Sequence, residues 1–227
     1  MGDLLRRRAM MQQASGNSPA VECPYITDGL IFWLDGIEKG NDQSVWTDLI
    51  GGKQFALTNA VFKTTSVAFT ANGAYGVCNG PLSVDANTET IEIACGTFNS
   101  GTACILHQPM IDNKAGACFI VGSDRKNSSY AMDGVTRARW NLSSATGIKR
   151  ISMNSSYAVN NGATISKGSN DHWGANNTGK TYLANNASLG KQYKAQDGIY
   201  CIRIYNRILS VAEMQANQAV DTARFNL

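Results

Sequence analysis

The chain has 227 residues, of which 43 % are hydrophobic and only 16 % charged, and its formal net charge is +3. That length is enough for one β domain with a full core, because all-β sandwiches often run to this size as a single unit. Away from Arg6, Arg7 and Arg8 the charges nearly balance, which excludes a broad basic surface for nucleic acid, and no apolar run is long enough to cross a bilayer.

Residues 1–20 read as an N-terminal arm and linker. Leu4, Leu5, Arg8 and Met11 lie near one helical stripe, with Asp3 in the first turn. A helix this short is marginal alone in water and needs a partner surface. Leu4, Leu5, Arg6, Arg7, Arg8 and Met11 are therefore the candidate partner-binding residues. A frayed terminus is the equal alternative. Positive charge follows Leu4 and Leu5 instead of preceding an apolar core segment, so a secretory signal is not expected. Ser15 to Pro19 read as a linker.

Residues 21–227 form the second unit. Leu30 to Leu34 is a buried strand entered from the Asp28-Gly29 turn, and Val45 to Leu49 is the next, closed by Gly51-Gly52. Phe55 to Leu57, Ala60 to Phe62 and Val67 to Phe69 read as short strands, and Thr90 to Cys95 alternates cleanly. Ala103 to His107 and Ala117 to Val121 are apolar strands. Tyr130 to Met132, Arg137 to Leu142 and Lys149 to Met153 can each form another. Ser156 to Val159 turns at Asn161-Gly162 and returns through Ala163 to Ile165. The pairs Asn72-Gly73, Asn79-Gly80 and Asn161-Gly162 are each expected to make a type I′ corner. A polar insertion from Lys167 to Gly179 follows, and Tyr182-Leu183 resumes the strands. From Gly198 the chain reads Gly-Ile-Tyr-Cys-Ile-Arg-Ile-Tyr-Asn-Arg-Ile-Leu-Ser. This is a period-2 strand with Ile202 and Ile204 on one face and Cys201, Arg203 and Tyr205 on the other. Ser210 and Glu213 then form a capping box, and Ala212, Ala216, Ala219, Val220 and Ala223 follow at helical spacing.

Three stretches, DGLIFWLDG, VWTDLIGGKQF and GIYCIRIYNRILSVAEM, resemble the laminin-G/concanavalin A-like lectin and glucanase superfamily. The resemblance covers roughly residues 25 to 220. It implies an all-β, two-sheet antiparallel jelly-roll sandwich, with the first strand in the same sheet as the last. The fold class expected is that sandwich with a short N-terminal helical arm and a short C-terminal helix.

A superfamily that includes glucanases requires a test for catalysis. Retaining glycoside hydrolysis needs two carboxyls about 5–5.5 Å apart. The glucanase pattern Glu-x-Asp-x-x-Glu is missing, and Glu89 and Glu92, three apart, fall on opposite faces of a strand. The chain is expected not to be an enzyme. Cys23, Cys78, Cys95, Cys104, Cys118 and Cys201 show no C-x-x-C spacing and read as reduced thiols, mostly buried. With two histidines, His107 and His172, they give no metal constellation. Asp85, Asn87 and Glu89 alternate oxygen ligands but lack the rest of a calcium loop. No cofactor is expected.

Sugar binding fits better. It calls for an aromatic ring on the sugar's apolar face and amides or carboxylates on its hydroxyls. Asp171, His172, Trp173, Asn176 and Asn177 have that composition, and Trp140 is a second candidate; plain packing and turn formation are the competing reading. The short arm fused to one lectin-like sandwich is similar to small virion proteins of tailed phages and prophages. That similarity implies a decoration or adhesion protein made in the host cytoplasm, held on the particle in several copies by other virion proteins, and displaying a sandwich to host surface glycans. A bacterial carbohydrate-binding module is the alternative, and a glucanase-type glycosidase the weaker third.

Overall fold

The computed structural model describes residues 22–80, 82, 88–96, 103–107, 118–122, 128–132, 137–141, 147, 149–154, 156–166, 180–186, 191–192 and 195–227. In chain order the elements are β1 (Leu30–Asp35), β2 (Val45–Thr47), β3 (Gln54–Thr58), β4 (Val61–Phe62), β5 (Val67–Phe69), β6 (Tyr75–Cys78), β7 (Thr90–Cys95), β8 (Ala103–His107) and β9 (Cys118–Gly122). Then come β10 (Ser128–Met132), β11 (Arg137–Asn141), β12 (Lys149–Met153), β13 (Ala158–Asn160), β14 (Ala163–Thr164), β15 (Thr181–Leu183), β16 (Asn185–Asn186), β17 (Lys191–Gln192), β18 (Ala195–Tyr205) and the helix α1 (Val211–Phe225).

Among the described residues the strands form two eight-stranded antiparallel sheets and a β16-β17 ribbon. The first sheet runs β14-β13-β12-β7-β18-β5-β4, with β1 also on β18; the second runs β11-β10-β9-β8-β15-β6-β3-β2. This is the expected all-β, two-sheet antiparallel sandwich with a C-terminal helix. As expected too, the first strand pairs directly with the last, Leu34 opposite Ile202 and Phe32 opposite Ile204.

β18 organises the first sheet because both of its faces are buried. Ile202 and Ile204 stand opposite Ile93 and Ile91 of β7. With Phe32, Leu34 and Ile151 they form rows facing the second sheet, where Trp46, Phe55, Leu106 and Leu183 complete the core. On the other face Tyr200, Cys201 and Tyr205 pack under α1 with Trp33, Met214 and Phe225. A β-bulge between Ile199 and Cys201 breaks the strict alternation, so Ile199 joins Ile202 in the inter-sheet core while Tyr200 turns to the helix side. Gly198 precedes the bulge at φ 94°. A Cβ there would stand 2.7 Å from the Val67 carbonyl oxygen, so β5 can lie against β18 only if this residue is glycine.

Several expectations are corrected. Of the three Asn-Gly pairs only Asn161-Gly162 has both residues at positive φ (50° and 81°). At the other two corners the glycine alone takes positive φ. The second strand stops at Thr47, not Leu49, because Asp48 turns away to serve β1 in place of a strand. Its carboxylate accepts from the backbone N–H of Trp33 at 2.8 Å, of Ile50 at 3.0 Å and of Gly51 at 2.8 Å, and Leu49 N–H donates to the Trp33 carbonyl. The outer edge of β1 is thereby closed to further strands. β6 is a strand where the sequence suggested none.

The capping box is present as read from the sequence. Glu213 N–H donates to Ser210 Oγ and the Ser210 N–H donates to Glu213 Oε2. The helix's buried side, which the alanine spacing leaves open, is its polar and bulky one. Ala212, Ala216, Ala219 and Ala223 are exposed, whereas Met214, Asn217, Gln218, Asp221 and Phe225 are buried.

Candidate functional site

The densest collection of charged and polar side chains lies between α1 and the first sheet. The cross-strand row Trp33, Arg203, Glu92, Ser152 crosses β1, β18, β7 and β12 directly beneath the helix. Arg203 Nε donates to Glu92 Oε2 at 2.8 Å, and its two terminal nitrogens donate to the Asp221 oxygens at 2.6 and 2.8 Å. All three residues are 1 % exposed. Asn217 Nδ2 donates to Glu92 Oε2 and to the Tyr205 hydroxyl, and Ser152 Oγ donates to Glu92 Oε1. Gln218 Nε2 donates to Ser152 Oγ and to the Val159 carbonyl. The Tyr25 ring lies 3.9 Å from the guanidinium carbon and covers it from the other side.

Burial pushes the Glu92 carboxyl above the usual carboxylate range, against the opposing pull of Arg203. Burial also works against the Arg203 charge, yet Asp221, Cys201 and Glu92 together hold its pKa well above the ordinary arginine value. A carboxylate shielded from water and engaged by three donors of the protein itself has no access route for a substrate. The network is a fastening for the helix. Two further links act at its ends: Arg224 donates to Asp35 (3.0 Å) and Glu38 (3.1 Å), and Arg207 donates to Glu213 (2.7 Å) and pairs with Asp28. Along its side the helix holds the β13-β14 hairpin: Gly162 N–H donates to Gln218 Oε1, and Gln215 Nε2 donates to the Gly162 carbonyl. Sequence reading missed this whole cluster.

With one face of the first sheet covered by α1 and the other by the second sheet, the outer face of the second sheet is the broad described face left. Phe55, Cys78, Thr181 and Leu183 of that sheet are buried toward the core, so the alternate residues face outward. Thr47 and Val45 of β2 are half-buried, and Gln54, Ala56 and Thr58 of β3 are exposed. Tyr75 and Val77 of β6 and Tyr182 of β15 are half-buried. Val45, Ala56, Val77 and Tyr182 stand in one cross-strand row. The rings of Tyr75 and Tyr182 are 6.4 Å apart and tilted by 51°. The alternation of Tyr75 and Val77 in Ala-Tyr-Gly-Val-Cys was the signal available, masked by its glycine.

Of the residues singled out from sequence, Asp171, His172, Trp173, Asn176 and Asn177 lie outside the described residues, as do Leu4, Leu5, Arg6, Arg7, Arg8 and Met11. Asp85 and Asn87 do so too. Trp140 stands on β11, the edge strand of the second sheet, opposite Ser129. The segment that holds Trp173 joins β14, the edge of the first sheet, to β15, inside the second. Among the described residues no group of three or more His, Cys, Asp or Glu side chains is arranged to hold a metal ion. Cys78, Cys95 and Cys201 are buried thiols, and the Cys23 thiol is half-buried.

No protein family and no curated protein matches the sequence. Among solved structures the chain is similar to Trypanosoma rangeli sialidase in complex with sialic acid, with a TM-score of 0.60 and 15 % identity over 96 % of this chain and 39 % of that one. It is also similar to the botulinum neurotoxin serotype D binding domain, with a TM-score of 0.52 and 11 % identity over 88 % of this chain and 53 % of that one. The chain thus spans about two fifths of the length of the sialidase and about half that of the toxin domain. At these identities the likeness shows the fold alone, a two-sheet antiparallel sandwich.

Proposed function

We propose that this chain is a non-catalytic, lectin-like module that binds carbohydrate. The observation that carries the reading is the sandwich itself, shared across almost the whole chain with a sialidase that was solved with sialic acid. The described carboxylates add support. Glu92 and Asp221 are sealed beneath α1, and Asp35 and Asp48 are buried and engaged by Arg224 and by backbone donors. None of these offers the open acid pair that glycoside hydrolysis demands. Trp173, with Asp171, His172, Asn176 and Asn177, is the proposed ligand-binding group, with Trp140 as a second contact. A glycan array probed with the full chain tests the reading. The expected result is selective binding weakened at least about tenfold by Trp173→Ala. An array with no hit, or β-glucan turnover abolished by Glu89→Gln, overturns it.

The finer reading makes the chain a decoration or adhesion protein of a tailed phage. Residues 1–20 would anchor it in several copies through Leu4, Leu5, Arg6, Arg7, Arg8 and Met11. Its support is the composition of the arm, a short amphipathic stripe that gains from a partner surface. Co-purification with assembled particles, lost on deletion of residues 1–20, is the expected outcome. A chain recovered only free of particles refutes it and leaves the carbohydrate-binding module standing.

A further inference from the structure

We propose that the outer face of the second sheet, centred on Tyr75 and Tyr182, is a binding platform for a neutral oligosaccharide. This rests on the carbohydrate-binding reading above, but places a contact surface on residues that reading does not use.

Three observations carry it. First, two tyrosine rings from hydrogen-bonded neighbouring strands stand 6.4 Å apart at 51° on an outward face, and so form a shallow V. Tyrosine is the amphipathic case in which a ring offers an apolar body and its hydroxyl a polar tip. A pyranose has the matching character, with C–H groups on one face and hydroxyls around its edge. Second, the row continues through Val77 to Ala56, small or half-buried apolar groups that leave the surface low, while Gln54 and Thr58 on the same face are exposed and offer hydrogen-bond donors and acceptors. Third, the part of the face formed by β2, β3, β6 and β15 is electrically matched to an uncharged ligand. The chain has 20 Lys and Arg and 17 Asp and Glu, yet none of the described outward-facing residues of β2, β3, β6 and β15 is charged. An anionic sugar, a phosphate or a nucleic acid finds no counter-charge on these strands, whereas a neutral hexose chain meets rings, hydroxyls and an amide.

The strand geometry also sets a length. Adjacent strands lie about 4.8 Å apart, so the row from Val45 on β2 to Tyr182 on β15 extends about 14 Å, enough for two to three sugar rings lying across the strands.

The test uses the full chain, neutral hexasaccharides of glucose, galactose and mannose, and 3′-sialyllactose. Binding is read by titration and by backbone amide shift mapping. The expected result is that a neutral hexasaccharide binds and shifts the β3 and β6 amides. Tyr75→Ala weakens it about tenfold, and Tyr75→Phe, which keeps the ring, weakens it less. Ala56→Glu, on an exposed position that does not touch the core, weakens it as well and guards against misreading a folding defect in Tyr75→Ala. Binding that survives Tyr75→Ala and Ala56→Glu but is lost in Trp173→Ala overturns this inference and leaves the proposed function intact. Binding of 3′-sialyllactose alone overturns the neutral-ligand assignment. No sugar bound by the unaltered chain overturns both.

Discussion

Replacing Arg203 by methionine should destabilise the protein far more than its place on a strand suggests. The substitution keeps a long, flexible side chain but removes one charged hydrogen bond to Glu92 and two to Asp221. Both carboxylates stay at 1 % exposure, one on the sheet and one on the helix, with no cation between them. Breaking a buried ion pair by removing one partner costs about 3–5 kcal/mol. Against the roughly 5–15 kcal/mol that holds a whole domain together, this is a large fraction, so the urea midpoint should fall steeply. The loss should also depend on pH in a definite direction. Burial already raises the Glu92 pKa, and removal of Arg203 takes away the chief opposing influence. An acid whose folded pKa lies above its unfolded value stabilises the fold when protonated. That contribution is complete below the ordinary value of 4.5 and is lost as pH rises through the folded value. Arg203→Met should therefore lie closest to the unaltered protein in acid and furthest from it at neutrality. Equilibrium urea denaturation at several pH values measures both effects. A loss below about 1 kcal/mol at pH 7, the size of an exposed pair, or one independent of pH, refutes the reasoning.

Two other outcomes follow from the same frame. Glu213 is held down to about 2, first by its hydrogen bond from Arg207 and then by the Ser210 N–H, so its contribution is present above 4.5 and lost as pH falls toward 2. Glu213→Gln should cost about 1 kcal/mol at pH 7, with the two stability curves converging in acid; curves that stay parallel down to pH 2 contradict the assignment. Gly198→Ala should cost at least about 2 kcal/mol, since it combines a strained φ of 94° with a Cβ placed 2.7 Å from the Val67 carbonyl oxygen; an unchanged melting temperature counts against the close β5-β18 approach.

The sheets were legible wherever apolar residues repeat with period 2 and turns carry punctuation. Thr90 to Cys95, Val67 to Phe69 and the Ile202/Ile204 pair show their strand character in the sequence, and Ser210 with Glu213 marks the helix start, because each signal is local. What the sequence left unassigned was the buried side of α1. Its alanines sit at helical spacing, but alanine is also the residue of least cost on an exposed helix face. The buried side is built of Asn217, Gln218 and Asp221, whose partners Glu92 and Ser152 lie far away in the chain. A polar side chain becomes an inward residue only through such a partner, and no window along the chain contains both. The bulge at Tyr200 was hidden for a related reason, because its extra residue shows only against the register of β7. The ligand-binding group proposed around Trp173 was chosen by composition, whereas the Tyr75-Tyr182 pair emerged only when two strands distant in sequence were placed side by side.

The polar footing of α1 also separates the strength of the fastening from its placement. Glu92→Met, Arg203→Leu and Asp221→Leu, made together, remove every member of the charged trio and so leave no buried ion uncompensated. Most of the remaining polar atoms keep partners. Asn217 still donates to the Tyr205 hydroxyl at 3.0 Å and accepts from the Ile26 N–H at 3.1 Å, and Gln218 still reaches Ser152 at 2.8 Å. Apolar replacement of a whole buried ionic cluster is often neutral or stabilising, in contrast to removal of a single member. The triple variant should therefore recover most of the stability lost in Arg203→Met, although it contains that position's change and two more. A helix that sheds its charged bonds to the sheet, keeping only those of Asn217 and Gln218 and its apolar contacts at Met214 and Phe225, is held in place less uniquely. Amide exchange in α1 should accordingly be faster in the triple variant than its global stability implies. A triple variant as unstable as Arg203→Met would instead mean that the cost comes from displaced packing of Tyr25, whose ring stacks on the guanidinium at 3.9 Å, and not from stranded charge.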